Sequence, residues 1–110
     1  MAFTNTKGRY ASFGVVTSLP PELIDVFWEI LDNNLKGVFT LDTLLTFQLV
    51  NNQGQLSFKY YDKYSKTVIV SDYATKFDPF YPEIVQIIDN NGRETIIRPG
   101  EREREGEGMK

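Results

Sequence analysis

Two short turns constrain the fold of this chain more than any other feature of its sequence. The segments NNQG (51–54) and NNG (90–92) contain Asn and Gly, the residues that best tolerate left-handed backbone. Each lies between two segments of strand length, and strands joined by so short a turn pair antiparallel. The sequence therefore predicts two β-hairpins, built from LLTFQLV (44–50) with QLSFKYY (55–61) and from EIVQIID (83–89) with RETIIRP (93–99).

Two further segments extend the predicted sheet. TVIVSDY (67–73) follows the first hairpin after a second short turn. Near the N-terminus, YASFGVVT (10–17) places Ala11, Phe13 and Val15 on one side, which is the period-2 alternation typical of a strand. We therefore expect about six strands in total.

A single amphipathic helix is predicted between the first strand and the hairpins. In SLPPELIDVFWEILDNNLKG (18–37), Pro21 suits the first helical turn and Gly37 suits the C-terminal cap. Trp28 is central in the apolar stripe, so we expect it to be buried between helix and sheet. The stripe consists of Ile24, Phe27, Trp28, Leu31 and Leu35, widened by Leu23 and Ile30.

These elements predict an α+β fold with the chain order βαβββββ. One helix covers only one face of a sheet, so the expected architecture is a two-layer sandwich of the helix on an antiparallel sheet of five or six strands. Residues 1–99 are expected to form a single domain, because a chain of this length is stabilised by one hydrophobic core. The charged, glycine-containing segment 100–110 is expected to be a disordered tail.

The composition excludes several classes of chemistry. The chain has no cysteine and no histidine, so thiolate nucleophiles, disulfides, Cys-ligated zinc and the Ser–His and Cys–His catalytic pairs are absent. We therefore expect no enzyme, no cofactor and no metal. An enzyme that uses carboxylates is the third hypothesis; Asp72 and Asp78 are close in sequence and flank one loop, but no spacing rule ties them together.

Charge and hydropathy predict neither a membrane protein nor a strongly charged binding surface. The formal net charge is −3, which gives no field strong enough to indicate nucleic acid or an anionic membrane. The N-terminal segment lacks the apolar core of a signal peptide, and no apolar run is long enough to span a bilayer. We therefore expect a cytoplasmic protein.

The first half of the chain carries a set of short motifs around the predicted first strand, helix and hairpin. Besides Phe3 they are RY (9–10), FG (13–14), LPPEL (19–23), FWEILD (27–32) and LDTLLTFQL (41–49). Together they resemble the small bacterial proteins grouped as domain of unknown function 960. The resemblance implies a cytoplasmic protein of Gram-positive type, with no established activity, cofactor or catalytic residue to carry over.

The polar side of the predicted helix is acidic. Glu22, Asp25, Glu29 and Asp32 follow one another at intervals of three and four, which places four carboxylates along one face. Such a face is either a solvated helix surface, a docking surface for a basic partner, or a mimic of the charge of nucleic acid.

Segment 59–66, which includes the turn between the first hairpin and the strand predicted at 67–73, mixes lysine with tyrosine. Proteins that bind single-stranded nucleic acid use this combination to attract phosphates and to stack on bases. Asp62 and the negative net charge oppose this interpretation, and Tyr60 is expected to face the core. The candidate residues for a nucleic-acid surface in segment 59–66 are Lys59, Tyr61, Lys63, Tyr64 and Lys66.

The segment KFDPFYPE (76–83) loads a loop with aromatic side chains. Two prolines hold it extended, so its three rings cannot all point inward. Either the rings close an open end of the core, or one of them is exposed and anchors a protein partner. We expect Phe77 and Tyr81 to pack inward and Phe80 to be the exposed ring.

The resulting functional hypothesis is a small non-enzymatic protein-interaction module. Its partner surface would comprise Phe80 and the acidic helix face, and its partner would be another protein rather than nucleic acid. Nucleic-acid binding through segment 59–66 is the alternative hypothesis. The partner's identity and the oligomeric state are left open by the sequence.

Overall fold

A computed structural model describes residues 2–101 of the chain, and the rest of the tail expected at 100–110 lies outside them. The described part contains six strands, two α-helices and one π-helix. In chain order these are β1 (Gly8–Ala11), α1 (Phe13–Val16), α2 (Pro21–Ile30), the π-helix (Leu31–Leu35), β2 (Leu44–Asn52), β3 (Gln55–Asp62), β4 (Thr67–Lys76), β5 (Ile84–Asn90) and β6 (Arg93–Ile97).

All six strands belong to one mixed sheet, which confirms the α+β class. Their spatial order is β1-β6-β5-β2-β3-β4, with every neighbouring pair antiparallel except β1 and β6. The expectation of a purely antiparallel sheet was therefore wrong at one edge. β1 is followed by the helices rather than by a hairpin turn, and a connection of that length allows parallel pairing with a distant strand.

The first strand was expected at 10–17 but spans Gly8–Ala11, because the chain leaves the sheet after Ala11 and turns into α1. The Ser12 side chain accepts a hydrogen bond from the Val15 backbone N–H at 3.2 Å and so caps this short helix. Local capping therefore overrides the period-2 pattern, and the Phe13 ring leaves the core face of the sheet.

The core centres on Phe27 of α2. Its ring lies edge-to-face against Phe47 and Phe58 of the sheet, with centroid distances of 5.4 and 4.9 Å. Trp28, expected to be buried, is instead half-buried, and the Arg9 guanidinium lies 4.8 Å from its ring centroid. The helix is thus rotated so that its buried stripe is Leu23, Val26, Phe27 and Ile30, continued by Leu31 and Leu35 in the π-helix.

The aromatic loop is the crossover between the edge strand β4 and the interior strand β5. At its start the Phe77 N–H donates to the Gly54 carbonyl at 2.9 Å, and at its end the Leu49 N–H donates to the Glu83 carbonyl at 2.8 Å. The loop therefore passes the ends of β3 and β2, where it covers one open end of the core.

The N-terminal segment closes the opposite end of β5. Phe3 is fully buried, and its backbone N–H donates to the Asp89 carboxylate at 2.7 Å. Nearby, a Cβ on Gly92 would lie 2.5 Å from the Asn5 carbonyl oxygen, so the turn before β6 requires glycine for space as well as for its φ of +95°. No helix within residues 2–101 is long and apolar enough to cross a membrane.

Candidate functional site

A buried carboxylate organises the surface where β1 and β6 meet the helices. Glu94 is fully buried and accepts hydrogen bonds from the Thr6 hydroxyl at 2.6 Å and from Arg9 Nε at 3.0 Å. The other two nitrogens of the Arg9 guanidinium donate to Asp32 in the π-helix at 2.8 and 2.5 Å. Arg9 therefore bridges the sheet and the helix in a fixed geometry.

This bridge removes Asp32 from the acidic helix face. Hydrogen bonds from Arg9, together with the nearby Lys36 ammonium, hold the pKa of the Asp32 carboxyl below its ordinary value. Glu22, Asp25 and Glu29 are exposed and have no ion pair within the described residues. The acidic helix face therefore has three carboxylates available to a partner instead of the four that were expected.

The Lys/Tyr segment is also partly occupied by internal contacts. Lys63 Nζ lies 2.7 Å from one oxygen of Asp42, and the Tyr64 hydroxyl donates to the other at 2.7 Å. The hydrogen bond from Lys63 contributes most to lowering the pKa of Asp42, and the same carboxylate raises the pKa of both its partners. The remaining candidates, which are exposed, are Lys59, Tyr61 and Lys66.

The aromatic loop divides its rings as expected. Phe77 and Tyr81 pack against the core, and Pro82 is buried, whereas 91% of the Phe80 surface is exposed. The Phe80 backbone N–H donates to the Asp78 side chain at 2.9 Å, which stabilises the turn that presents the ring.

A second exposed phenylalanine, Phe13, lies in α1, and 83% of its surface is exposed. An open cleft of about 490 Å³ is lined by Gly14, residues 82–84 and residues 98–101. Phe13 directly precedes Gly14, and Phe80 lies two residues before residue 82. Neither ring lines the cleft itself, but each lies within two residues of one that does, and we call this opening the aromatic cleft.

One wall of the aromatic cleft is fixed by Glu101. Its carboxylate accepts hydrogen bonds from the Ser12 hydroxyl at 2.6 Å, the Gly14 N–H at 3.1 Å and the Arg98 N–H at 2.6 Å. A Cβ on Gly14 would lie 2.6 Å from this carboxylate, so a larger residue there would displace the Glu101 side chain. Glu101 thereby ties the end of the sheet to α1.

The Glu101 contacts make stability depend on acid pH. Burial alone would raise the pKa of Glu101, but the hydrogen bonds from Ser12, Arg98 and Gly14 outweigh it and lower that pKa. A carboxyl with a depressed pKa in the folded state stabilises above its unfolded pKa, near 4.3, and loses this contribution as pH falls through the folded value.

We therefore expect the urea midpoint of the wild type to fall more steeply below about pH 4.5 than that of Glu101→Gln. Urea melts across this pH range measure the difference. Glu29→Gln, which alters an exposed helix carboxylate, controls for the change in net charge. Parallel curves for wild type and Glu101→Gln would contradict the role assigned to these hydrogen bonds.

Four residues that organise this surface were not predicted from the sequence: Arg9, Phe13, Glu94 and Glu101. Ser12 is a preferred N-cap residue and was the available signal that a helix, rather than a strand, follows it. No local signal marks Glu94 or Glu101, because the hydroxyls that donate to them, those of Thr6 and Ser12, lie more than eighty residues away in the chain. Within the described part of the chain no group of three or more acidic side chains is arranged to hold a metal.

Comparisons with known proteins agree with this fold. None of the curated proteins matches the chain. A similar solved structure is the crystal structure of the protein of unknown function from Enterococcus faecalis, with a TM-score of 0.81. The two sequences are 42% identical, and the match covers 86% of this chain and 89% of the other chain. Residues 8–101 match the family described as Staphylococcal protein of unknown function (DUF960). The chain therefore belongs to the DUF960 family, which its N-terminal motifs resemble.

Proposed function

We propose that this protein is a non-enzymatic protein-interaction module of the bacterial cytoplasm, and that it binds its partner at the aromatic cleft. The observation that carries the proposal is the exposure of Phe13 and Phe80 on two segments bordering the same cleft. Exposed rings of this size are costly to leave in water, and rigid aromatics are enriched at the energetic centres of protein interfaces.

The backbone that carries each exposed ring is held in place by contacts with the rest of the protein, which favours a role in binding. Phe80 is held by a turn whose neighbours are anchored in the core, and Phe13 projects from a helix capped by Ser12 and braced by Glu101. Both rings are thus presented on an ordered backbone, which lowers the conformational entropy lost on binding. The partner that fits this surface is a protein segment that offers apolar side chains.

Nucleic-acid binding through segment 59–66 is less well supported. Two of its five side chains, Lys63 and Tyr64, share the Asp42 carboxylate, so binding phosphate there would first require breaking contacts within the protein. The acidic helix face carries three exposed carboxylates and is retained as a secondary contact surface for a basic region of the partner.

A comparative pulldown tests the proposal. Lysate of the native host is passed over the wild type and over the double variant Phe13→Ser/Phe80→Ser, and the recovered proteins are compared by mass spectrometry. We expect specific proteins with the wild type and at least tenfold weaker recovery with the double variant, as for interface hot spots. Because both rings are exposed, the variant should keep its stability within about 0.5 kcal/mol per site.

Tyr61→Ser is the matched control, since this ring is also more than half exposed but lies on β3. Equal recovery of the same proteins by the wild type and the double variant would overturn the proposed site. Recovery of RNA or DNA with a steep salt dependence, and of no protein, would favour the nucleic-acid alternative instead.

A further inference from the structure

The turn between β5 and β6 contains the one Asn-Gly pair of the chain, Asn91 and Gly92. It is a two-residue turn between Asn90 and Arg93, and both of its residues have positive φ, +54° for Asn91 and +95° for Gly92. Asn-Gly is also the pair most prone to deamidation, because glycine has no Cβ to hinder attack of its backbone nitrogen on the asparagine side chain. The residues that form the turn are therefore also a reactive pair.

Deamidation at this pair is a reaction of the protein with water alone. Hydroxide removes the Gly92 N–H proton, and the electron pair of the nitrogen attacks Cγ of Asn91. As this bond forms, the Cγ–Nδ2 bond breaks, and the departing nitrogen takes a proton from water and leaves as ammonia. The product is a cyclic imide in the backbone. Water then opens the imide at either carbonyl carbon, which gives aspartate or isoaspartate.

The folded structure opposes the first step of this reaction. The Gly92 N–H donates to Asp89 Oδ1 at 2.8 Å, so the proton that must be lost is hydrogen-bonded to a carboxylate. A hydrogen bond made by the protonated form and a nearby negative charge both disfavour the anion that the reaction requires. Asp89 therefore slows deamidation of Asn91 for as long as this contact holds.

The N-terminal strap, which we define as residues 3–7, holds the same turn from the other side. The Phe3 N–H donates to Asp89 Oδ2 at 2.7 Å, so one carboxylate joins the strap to the turn. The Asn5 carbonyl oxygen lies so close to Gly92 that a Cβ there would be 2.5 Å from it. Gly92 is buried as a result, and the docked strap leaves the turn little space to rearrange for the attack.

We propose that Asn91 is a site of spontaneous deamidation that the docked N-terminal strap and Asp89 protect, so that the modification records detachment of the strap. Phe3 has a φ of +62°, and this strained conformation of a bulky residue favours detachment. Either product adds a carboxylate two residues from Asp89, and isoaspartate also lengthens the backbone of the turn. Both changes oppose renewed docking of the strap. The inference is independent of the aromatic cleft.

Peptide mapping by mass spectrometry, after incubation of the intact protein in mildly alkaline buffer, measures the deamidation rate at Asn91. We expect the folded wild type to react at least tenfold more slowly than the same protein unfolded in guanidinium chloride, because the reaction in the folded state requires local opening of the turn. Equal rates in the two states would overturn the proposal.

Two variants test the strap and the carboxylate separately. Phe3→Ala removes the buried ring of the strap, and Asp89→Ala removes the acceptor of both N–H groups. Each should accelerate deamidation at Asn91 by about threefold or more. Tyr73→Ala is the matched control, since this ring also packs against the core but belongs to β4, which is separated from β6 by three strands.

Equal acceleration by Tyr73→Ala and Phe3→Ala would assign the reaction to global unfolding and contradict the protective role of the strap. Unchanged rates in both Phe3→Ala and Asp89→Ala would contradict it as well. Circular dichroism melts verify that each variant is folded under the conditions of incubation.

Discussion

Phe27→Ala is expected to lower the free energy of unfolding by about 3 to 5 kcal/mol. The Phe27 ring is fully buried and packs edge-to-face against Phe47 and Phe58, so its removal loses both burial and two aromatic contacts. A loss of this size is a large share of the stability of a small domain.

Trp28→Ala is the matched control for Phe27→Ala, since it removes a larger ring from the next position of the same helix. The half-buried Trp28 should cost only about 1 to 2 kcal/mol, because part of its surface is already in water. Urea melts followed by circular dichroism compare the two, since Trp28 is the only tryptophan and its variant has no indole fluorescence. A larger loss for Trp28→Ala would contradict the orientation of α2.

Glu94→Gln is expected to cost about 2 to 3 kcal/mol, because it replaces a buried carboxylate that accepts two hydrogen bonds. The oxygen of the neutral amide can accept from Arg9 Nε, but its NH₂ group then faces the Thr6 hydroxyl, which has to accept a hydrogen bond instead of donating one. The loss leaves Arg9 partly desolvated without its buried counter-charge, which is the costly half of breaking a buried pair.

Asp32→Asn is the matched comparison for Glu94→Gln, because the exposed Asp32 and the buried Glu94 both accept hydrogen bonds from the Arg9 guanidinium. Asp32 is 42% exposed, so its removal should cost less than about 1 kcal/mol, as for other surface ion pairs. Chemical denaturation of both variants at pH 7 provides the measurement. Equal losses would show that Glu94 contributes no more than a surface carboxylate and would refute the bridging role given to Arg9.

The strands of the two hairpins, β4 and the main helix were all predictable. Periodicity and turn chemistry depend on residues within a few positions of each other, and both signals are strong in segments such as 44–61 and 83–99. The position of the helix start at Pro21 follows from the same local rules. The local signals failed at residues 12–16, where alternation and capping conflicted and the cap prevailed.

The candidate site was predictable only in part. The exposure of Phe80 followed from the two prolines that hold the loop extended, but nothing local placed Phe13 beside the same cleft. Likewise, the spacing of the acidic helix residues gave their common face, whereas the pairing of Asp32 with Arg9 depends on how β1 docks on the helix.

Local sequence patterns located strands β2 to β6 and the main helix, but they extended the first strand through the residues that form α1. The sheet order, the parallel pairing of β1 with β6 and the rotation of α2 that buries Phe27 instead of Trp28 depend on tertiary contacts. Short-range patterns encode backbone preference and the side of an element that is apolar. The contacts that join Thr6 to Glu94 and Ser12 to Glu101 form only when distant segments share one core, so no local pattern encodes them.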